Sequence, residues 1–187
     1  MFNEVWGCSV EEATRVVDEF LDSETFQKDH IEIIPGAFEV LNKLKDKYDF
    51  VVVTSRQAKL EKLTRAWVRK HYPGIFKDIR LGNHFSSQGK KLSKAEMCNQ
   101  IGASVLIDDS IQYTAECAQF MKHVNCLICF FFLGSRSRCA FVSIKQKVIL
   151  FDWNGSYQWN KKEIEHKNIV RLKTWEEIDQ FLSTHEL

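Results

Sequence analysis

A chain of 187 residues suits one domain with a small appendage, and 44% hydrophobic with 27% charged residues is a globular mixture, which excludes a disordered chain. The formal net charge of +1 creates no global field toward nucleic acid, an acidic membrane or an acidic substrate, so no nucleic-acid polymer is expected as a partner. The start of the chain carries acids where a secretory signal has its apolar core, and Cys8, Cys98, Cys117, Cys126, Cys129 and Cys139 are scattered. The expectation is free thiols in the cytoplasm or another reducing intracellular compartment. The longest apolar run, residues 126–134, is roughly half the ~20 residues of a spanning helix, so no membrane partner is expected either.

Residues 9–28 read as a helix, opened by a capping box of Ser9 and Glu12 and continued by Val10, Ala13, Val16, Val17, Phe20 and Leu21 at helical spacing. After Pro35 and Gly36 comes a second helix, with Phe38, Leu41 and Leu44 on one face. The run 49–55, DFVVVTS, is too apolar for a strand with one wet face and suits a parallel sheet covered on both sides. Another helix, with Leu60, Leu63 and Trp67 inward, closes at Pro73; a short strand at Ile79–Leu81 leads into the polar loop 82–93. A helix from about Lys94 is stopped by Gly102; the strand SVLIDD (104–109) and a helix from about Gln112 to Lys122 follow. Beyond that, 125–133 and 147–153 are strand candidates, and 173–182 is a terminal helix boxed by Thr174 and Glu177. Alternating strands and helices of these lengths predict an α/β fold, a doubly wound and mostly parallel sheet.

Open α/β sheets bind ligands beyond the carboxyl ends of their strands. Thr54 and Ser55 end one strand, Asp108 and Asp109 end another, and Lys94 starts the helix between them. Paired carboxylates are hard oxygen donors suited to Mg²⁺, Lys94 and that cation neutralise a phosphoryl group, and Thr54 donates a hydrogen bond to it. Each signal has a plainer reading. Thr-Ser is common turn chemistry, Lys94 can be a solvated first-turn lysine, and Asp-Asp-Ser can cap the next helix. Arg56 and Gln57 are placed to touch a substrate, though Arg56 equally suits a neighbouring acid; His84 is either a substrate contact or a solvated loop residue. Cys126 and Cys129 form a CxxC whose thiols diverge on a strand, so a core role is expected of them.

The stretches VVVTSRQ (51–57) and SKAEMCNQIGASVLIDDS (93–110), preceded by IIPGAFEVLNKL (33–44), resemble the second, third and fourth motifs of haloacid-dehalogenase-like phosphohydrolases, closest to their nucleotidase-like branch with its 5′(3′)-deoxyribonucleotidase relatives. The resemblance covers residues 31–122 and, more loosely, the tail from 147. It implies that Thr54, with Ser55, binds the phosphoryl group, that Lys94 is catalytic in bridging phosphate and nucleophile, and that Asp108 and Asp109 hold Mg²⁺. It also implies a HAD-like Rossmann-type core over 31–187, a helical cap remnant over 1–30, and an atypical apolar insertion at about 124–146.

The family's attacking strand, ending in DxDx(T/V), has no counterpart before residue 31, and the chain reads as truncated there. The strand that carries it is central, so the sheet is expected to close a gap, stay open or borrow a strand. VILFDW (148–153) imitates such a strand, but Asn154 cannot act as its acid, so Asp152 is expected to be structural. The functional expectation is a Mg²⁺-dependent phosphomonoester hydrolase, a nucleotidase by resemblance, inactive in this chain for want of its nucleophile. The alternative is a non-catalytic phosphate- and metal-binding or protein-interaction module. A small phosphorylated molecule such as a nucleotide is the expected partner, with self-association through 126–134 as a second contact.

Overall fold

The run Lys147–Phe151 is apolar after its first residue, and such a strand needs cover on both faces. The structure, a computed structural model, describes residues 6–24, 31–84, 86, 89–120, 147–164 and 166–184. In it this strand (β4) has Val148, Ile149 and Leu150 fully buried. It lies between β3 (Val105–Asp108) and β5 (Ile169–Leu172) in a parallel sheet, with Asp108 opposite Leu150 and Phe151 opposite Leu172. A second parallel pair joins β1 (Phe50–Thr54) to β2 (Phe76–Leu81), with Thr54 opposite Leu81 and a bulge that takes up Lys77.

The helices are α1 (Val10–Asp22), α2 (Ala37–Leu44), α3 (Glu61–His71), α4 (Lys94–Gln100), α5 (Ile111–Phe120) and α6 (Trp175–Thr184). Period-two alternation along the strands sorts the apolar residues into two cores. Phe50, Val105, Ile149 and Phe151 meet Val40 and Leu41 of α2 and Ile178 and Leu182 of α6. Val53, Leu106, Val148 and Leu150 face the other way, toward Ala95 and Cys98 of α4 and Cys117 and Ala118 of α5. Strands of both sheets therefore enter both cores, with helices on either face, which is the predicted α/β layering. Each fully buried aliphatic side chain contributes roughly 1.5–3 kcal/mol over leaving it in water.

Between β1 and β3 the layer is interrupted. Among the described residues β1 pairs with β2 alone and β3 with β4 alone, and no strand joins β1 to β3. Burial follows the pairing. Val51, Val52 and Val53 are half-buried, whereas the apolar residues of β4 are buried throughout.

Local chemistry sets the helix ends. Ser9 accepts the Glu12 N–H at the start of α1, as its capping box predicts. The helix breaks at Ser23, whose backbone N–H and hydroxyl both bond the Phe20 carbonyl, and residues 25–28 of the predicted helix lie outside the described residues. Gly102, at φ +66°, ends α4 in the left-handed conformation that favours glycine. β2 begins three residues before the predicted strand, since Lys77, Asp78 and Arg80 can face solvent beside β1. β5 is absent from the predicted elements: four residues, one of them Arg171, give no alternating signal. The insertion at 124–146, Cys126, Cys129 and the self-association segment 126–134 lie outside the described residues. Among the described residues no helix is long and apolar enough to cross a membrane.

Candidate functional site

Asp108 is the last residue of β3 and Lys94 the first of α4, so both arrive at the same end of the layer. One Asp108 oxygen accepts the Ser110 N–H at 3.0 Å; the other accepts the Lys94 ammonium. The pair is dry, with the two side chains 11% and 4% exposed. Burial alone lowers the Lys94 pKa, but the Asp108 charge and hydrogen bond, helped by Asp109 and Tyr113, outweigh it and raise it overall. The lysine is thus held charged. Its ammonium also lies 4.4 Å from the centre of the Tyr113 ring, a cation–π contact from the first turn of α5.

Asp109 sits beside this pair, keeps contact with solvent and has no ion-pair partner among the described residues. Crowding by its neighbours, and next the Asp108 charge, raise its pKa against the pull of Lys94. Two carboxylates face one ammonium here. Among the described residues no three ligating side chains gather as a metal centre. The donor set is therefore two adjacent hard oxygens carrying excess negative charge. That fits Mg²⁺, which takes one or two carboxylates and fills its remaining positions with water and phosphate oxygens.

Thr54 ends β1 of the other sheet, and Ser55 follows it. The loop after β2 is laid on their backbone: Gly82 N–H donates to Thr54 O at 2.7 Å, His84 N–H to Ser55 O at 3.1 Å, and Asn83 N–H to Arg56 O at 3.1 Å. The same loop reaches α4, since Leu92 N–H donates to Gly82 O, two residues before Lys94. Glycine suits position 82, as a Cβ there would fall 2.5 Å from the Leu92 carbonyl oxygen and force a shift. A chain of backbone hydrogen bonds thus joins the end of β1 to the start of α4. The Thr54 hydroxyl oxygen accepts the Arg56 N–H at 3.3 Å, which leaves its proton for a ligand. The Ser55 hydroxyl oxygen is buried with no hydrogen-bond partner among the described residues.

Arg56 and His84 lie close by but are turned to other work. The Arg56 guanidinium donates to the Thr64 hydroxyl of α3, and its burial lowers its pKa. His84 Nε2 lies 2.8 Å from the Leu92 carbonyl, and its ring stands edge-on to Tyr113. Gln57 donates to Asp18 of α1 at 2.9 Å, and Val17 and Leu21 pack on Leu60 and Leu63, so α1 leans on the turn beyond Thr54. Asp152 is buried at the end of β4; it accepts from Arg171 at 3.0 Å and from the Tyr157 N–H at 3.2 Å.

Three residues of this neighbourhood escaped the sequence reading. Asn160, fully buried, donates to the Asp109 carbonyl at 2.8 Å and accepts the Ile111 N–H, fixing the bend between β3 and α5. Trp159 donates its indole N–H to the same carbonyl. Both lie about fifty residues from Asp109 and leave no local trace. Tyr113 did leave one, since a residue four after Asp109 in a following helix faces back over the strand end.

Parallel strands under helices, hydroxyls at one strand end, an acidic pair at another and a lysine from the helix between them define a haloacid-dehalogenase-like α/β protein. More narrowly, the chain belongs to the family of 5′ nucleotidase, deoxy (pyrimidine), cytosolic type C proteins (NT5C), whose model matches residues 4–130. The matched stretch carries Thr54, Ser55, Lys94, Asp108 and Asp109 and ends before Asp152. Comparisons with curated proteins and with solved structures give no further match.

Proposed function

We propose that this chain binds a phosphomonoester, a nucleoside monophosphate in keeping with its family, together with Mg²⁺, and does not hydrolyse it. The observation that carries the reading is the Lys94–Asp108 pair with Asp109 beside it, unpaired among the described residues. It is a fixed cation and two hard oxygen donors at the carboxyl end of a parallel strand. Thr54 and Ser55 offer hydroxyl donors to phosphate oxygens, the Ser55 oxygen being buried without a partner among the described residues. Lys94 offers charge, and Asp108 and Asp109 would hold the cation, whose chemistry is to neutralise phosphate oxygens. Arg56 and His84 enter only as loop supports of this cradle, given their bonds to Thr64 and the Leu92 carbonyl.

Hydrolysis needs a further group, an acceptor for the phosphoryl or a base for water. Asp108 accepts from Lys94 and would share the cation with Asp109, and Asp152 accepts from Arg171. None of the three is placed to attack. A cytoplasmic setting agrees with this reading, because Cys8, Cys98 and Cys117 are free thiols.

The test is a titration of the purified chain with inorganic phosphate, with and without Mg²⁺, beside an assay of generic phosphomonoester hydrolysis. Binding that EDTA weakens and Asp109→Asn removes, without turnover, is expected. Turnover that EDTA abolishes would overturn the non-hydrolytic reading and leave the binding site standing.

A further inference from the structure

Trp159 is an unusual residue to leave at the surface. Its side of the β4–β5 connection is tightly held, yet the residue remains 42% exposed. One face of its indole is covered by Tyr157, with the ring centres 4.6 Å apart and the planes within 14°. Its N–H edge is spent on the Asp109 carbonyl at 2.8 Å. The exposed area is therefore the outer face of the indole and its remaining edges.

The loop beneath is fixed at several points. Tyr157 N–H donates to Asp152, and the Arg171 guanidinium donates to Asp152, to the Asn160 carbonyl at 2.6 Å and to the Lys162 carbonyl at 3.0 Å. Asn160, next to Trp159, is fully buried and grips Asp109 O and Ile111 N. Tyr157 is close enough to Asp109 and Asp152 that, after its burial, their charges contribute to raising its phenol pKa. The two rings thus form a two-layer aromatic stack, preorganised and bonded to the backbone of Asp109.

We infer that the Tyr157–Trp159 stack is a base-binding platform. The outer face of Trp159 takes the flat ring of a ligand whose phosphate lies at Asp108, Asp109 and Lys94. This rests on the phosphate-binding reading above and sharpens it. Stacking on an exposed, rigid indole costs little ordering and tolerates any base, because every base has a π-face. A sugar phosphate without a base cannot use it. The stack lies beyond residue 130, where the family match ends, so the match assigns it nothing.

The experiment is isothermal titration in the presence of Mg²⁺ with inorganic phosphate, ribose 5-phosphate and adenosine 5′-monophosphate, on the wild-type chain, Trp159→Ala and Trp159→Phe. The nucleotide should bind the wild type about tenfold tighter than ribose 5-phosphate, toward the low end of what one base–aromatic stack supplies. Trp159→Ala should erase that margin while leaving ribose 5-phosphate unchanged, and Trp159→Phe, which keeps a flat ring, should retain most of it. Equal wild-type affinities would overturn the platform. So would a Trp159→Ala chain that loses both ligands equally, since the indole would then act only by holding Asp109. If no phosphate binds at all, the phosphate reading fails separately, and adenosine alone decides the platform. An adenosine-induced shift of the Trp159 indole N–H resonance, assigned by its loss in Trp159→Ala, supports it; no shift overturns it.

Discussion

The two sheets hold opposite halves of the candidate site and are secured in different ways. The carboxylates stand on β3, whose neighbour β4 is paired on both edges and buried on both faces. The hydroxyls stand at the end of β1, which is paired on one edge among the described residues and keeps Val51–Val53 half-exposed. A ladder positions the first half; three loop hydrogen bonds from Gly82, Asn83 and His84 position the second. Lys94 joins them. Its helix packs on β1 while its ammonium pairs with Asp108 on β3. The difference teaches that the cation half is set by the core, and the hydroxyl half by a few polar contacts and one ion pair.

Cutting that join is the most severe way to separate the halves. Lys94→Ala leaves Asp108 buried without its counter-charge and beside a second carboxylate, a change that costs about 3–5 kcal/mol. Urea unfolding should show the loss, and added Mg²⁺ should recover part of it, because a divalent cation supplies the missing positive charge. A variant as stable as the wild type would show that the pair does not hold the halves together.

Paired substitutions measure the contrast itself. Ile149→Ala, in the fully buried β4, should cost about 2–5 kcal/mol by loss of contact and creation of a cavity. Val52→Ala, half-exposed in β1, should cost only about 1 kcal/mol. Native-state hydrogen exchange should agree, with amides of β1 opening at lower free energy than those of β4. Equal costs and equal protection would mean that β1 is as well enclosed as β4.

A smaller effect tests the loop that fixes Thr54 and Ser55. Gly82→Ala pushes a methyl group against the Leu92 carbonyl, and overpacking of this kind costs about 1–3 kcal/mol. Phosphate affinity should fall with it, since Leu92 leads directly into Lys94. Stability that drops while phosphate affinity holds would release the hydroxyl half from the loop.

What the sequence disclosed and what it hid follow the same division. The α/β layering and the meeting of Lys94 with Asp108 were legible, because apolar runs declare buried parallel strands and ligands gather at their carboxyl ends. β5, Arg171, Trp159 and Asn160 were not. They act across roughly fifty residues, or within a strand too short to alternate, and no window of sequence contains both partners. Arg56 follows β1 and His84 follows β2, as the sequence indicates, yet a sequence cannot tell whether a side chain turns to a ligand or to Thr64 and the Leu92 carbonyl.

Tyr113 offers the mildest and sharpest probe of the join. Its ring lies beneath the Lys94 ammonium without a hydrogen bond to it, so the contact is electrostatic attraction to the ring face. Tyr113→Phe keeps that face and should leave stability and phosphate affinity nearly unchanged. Tyr113→Leu keeps bulk but removes the quadrupole, and should cost about 0.5–2 kcal/mol by urea unfolding. The loss should vanish in a Lys94→Met background, where no cation remains to be attracted. A double-mutant cycle in which Tyr113→Leu costs as much without Lys94 as with it would make the ring a packing residue only. Coupling between the two would instead place Tyr113 in the clamp, as the one member supplied by α5.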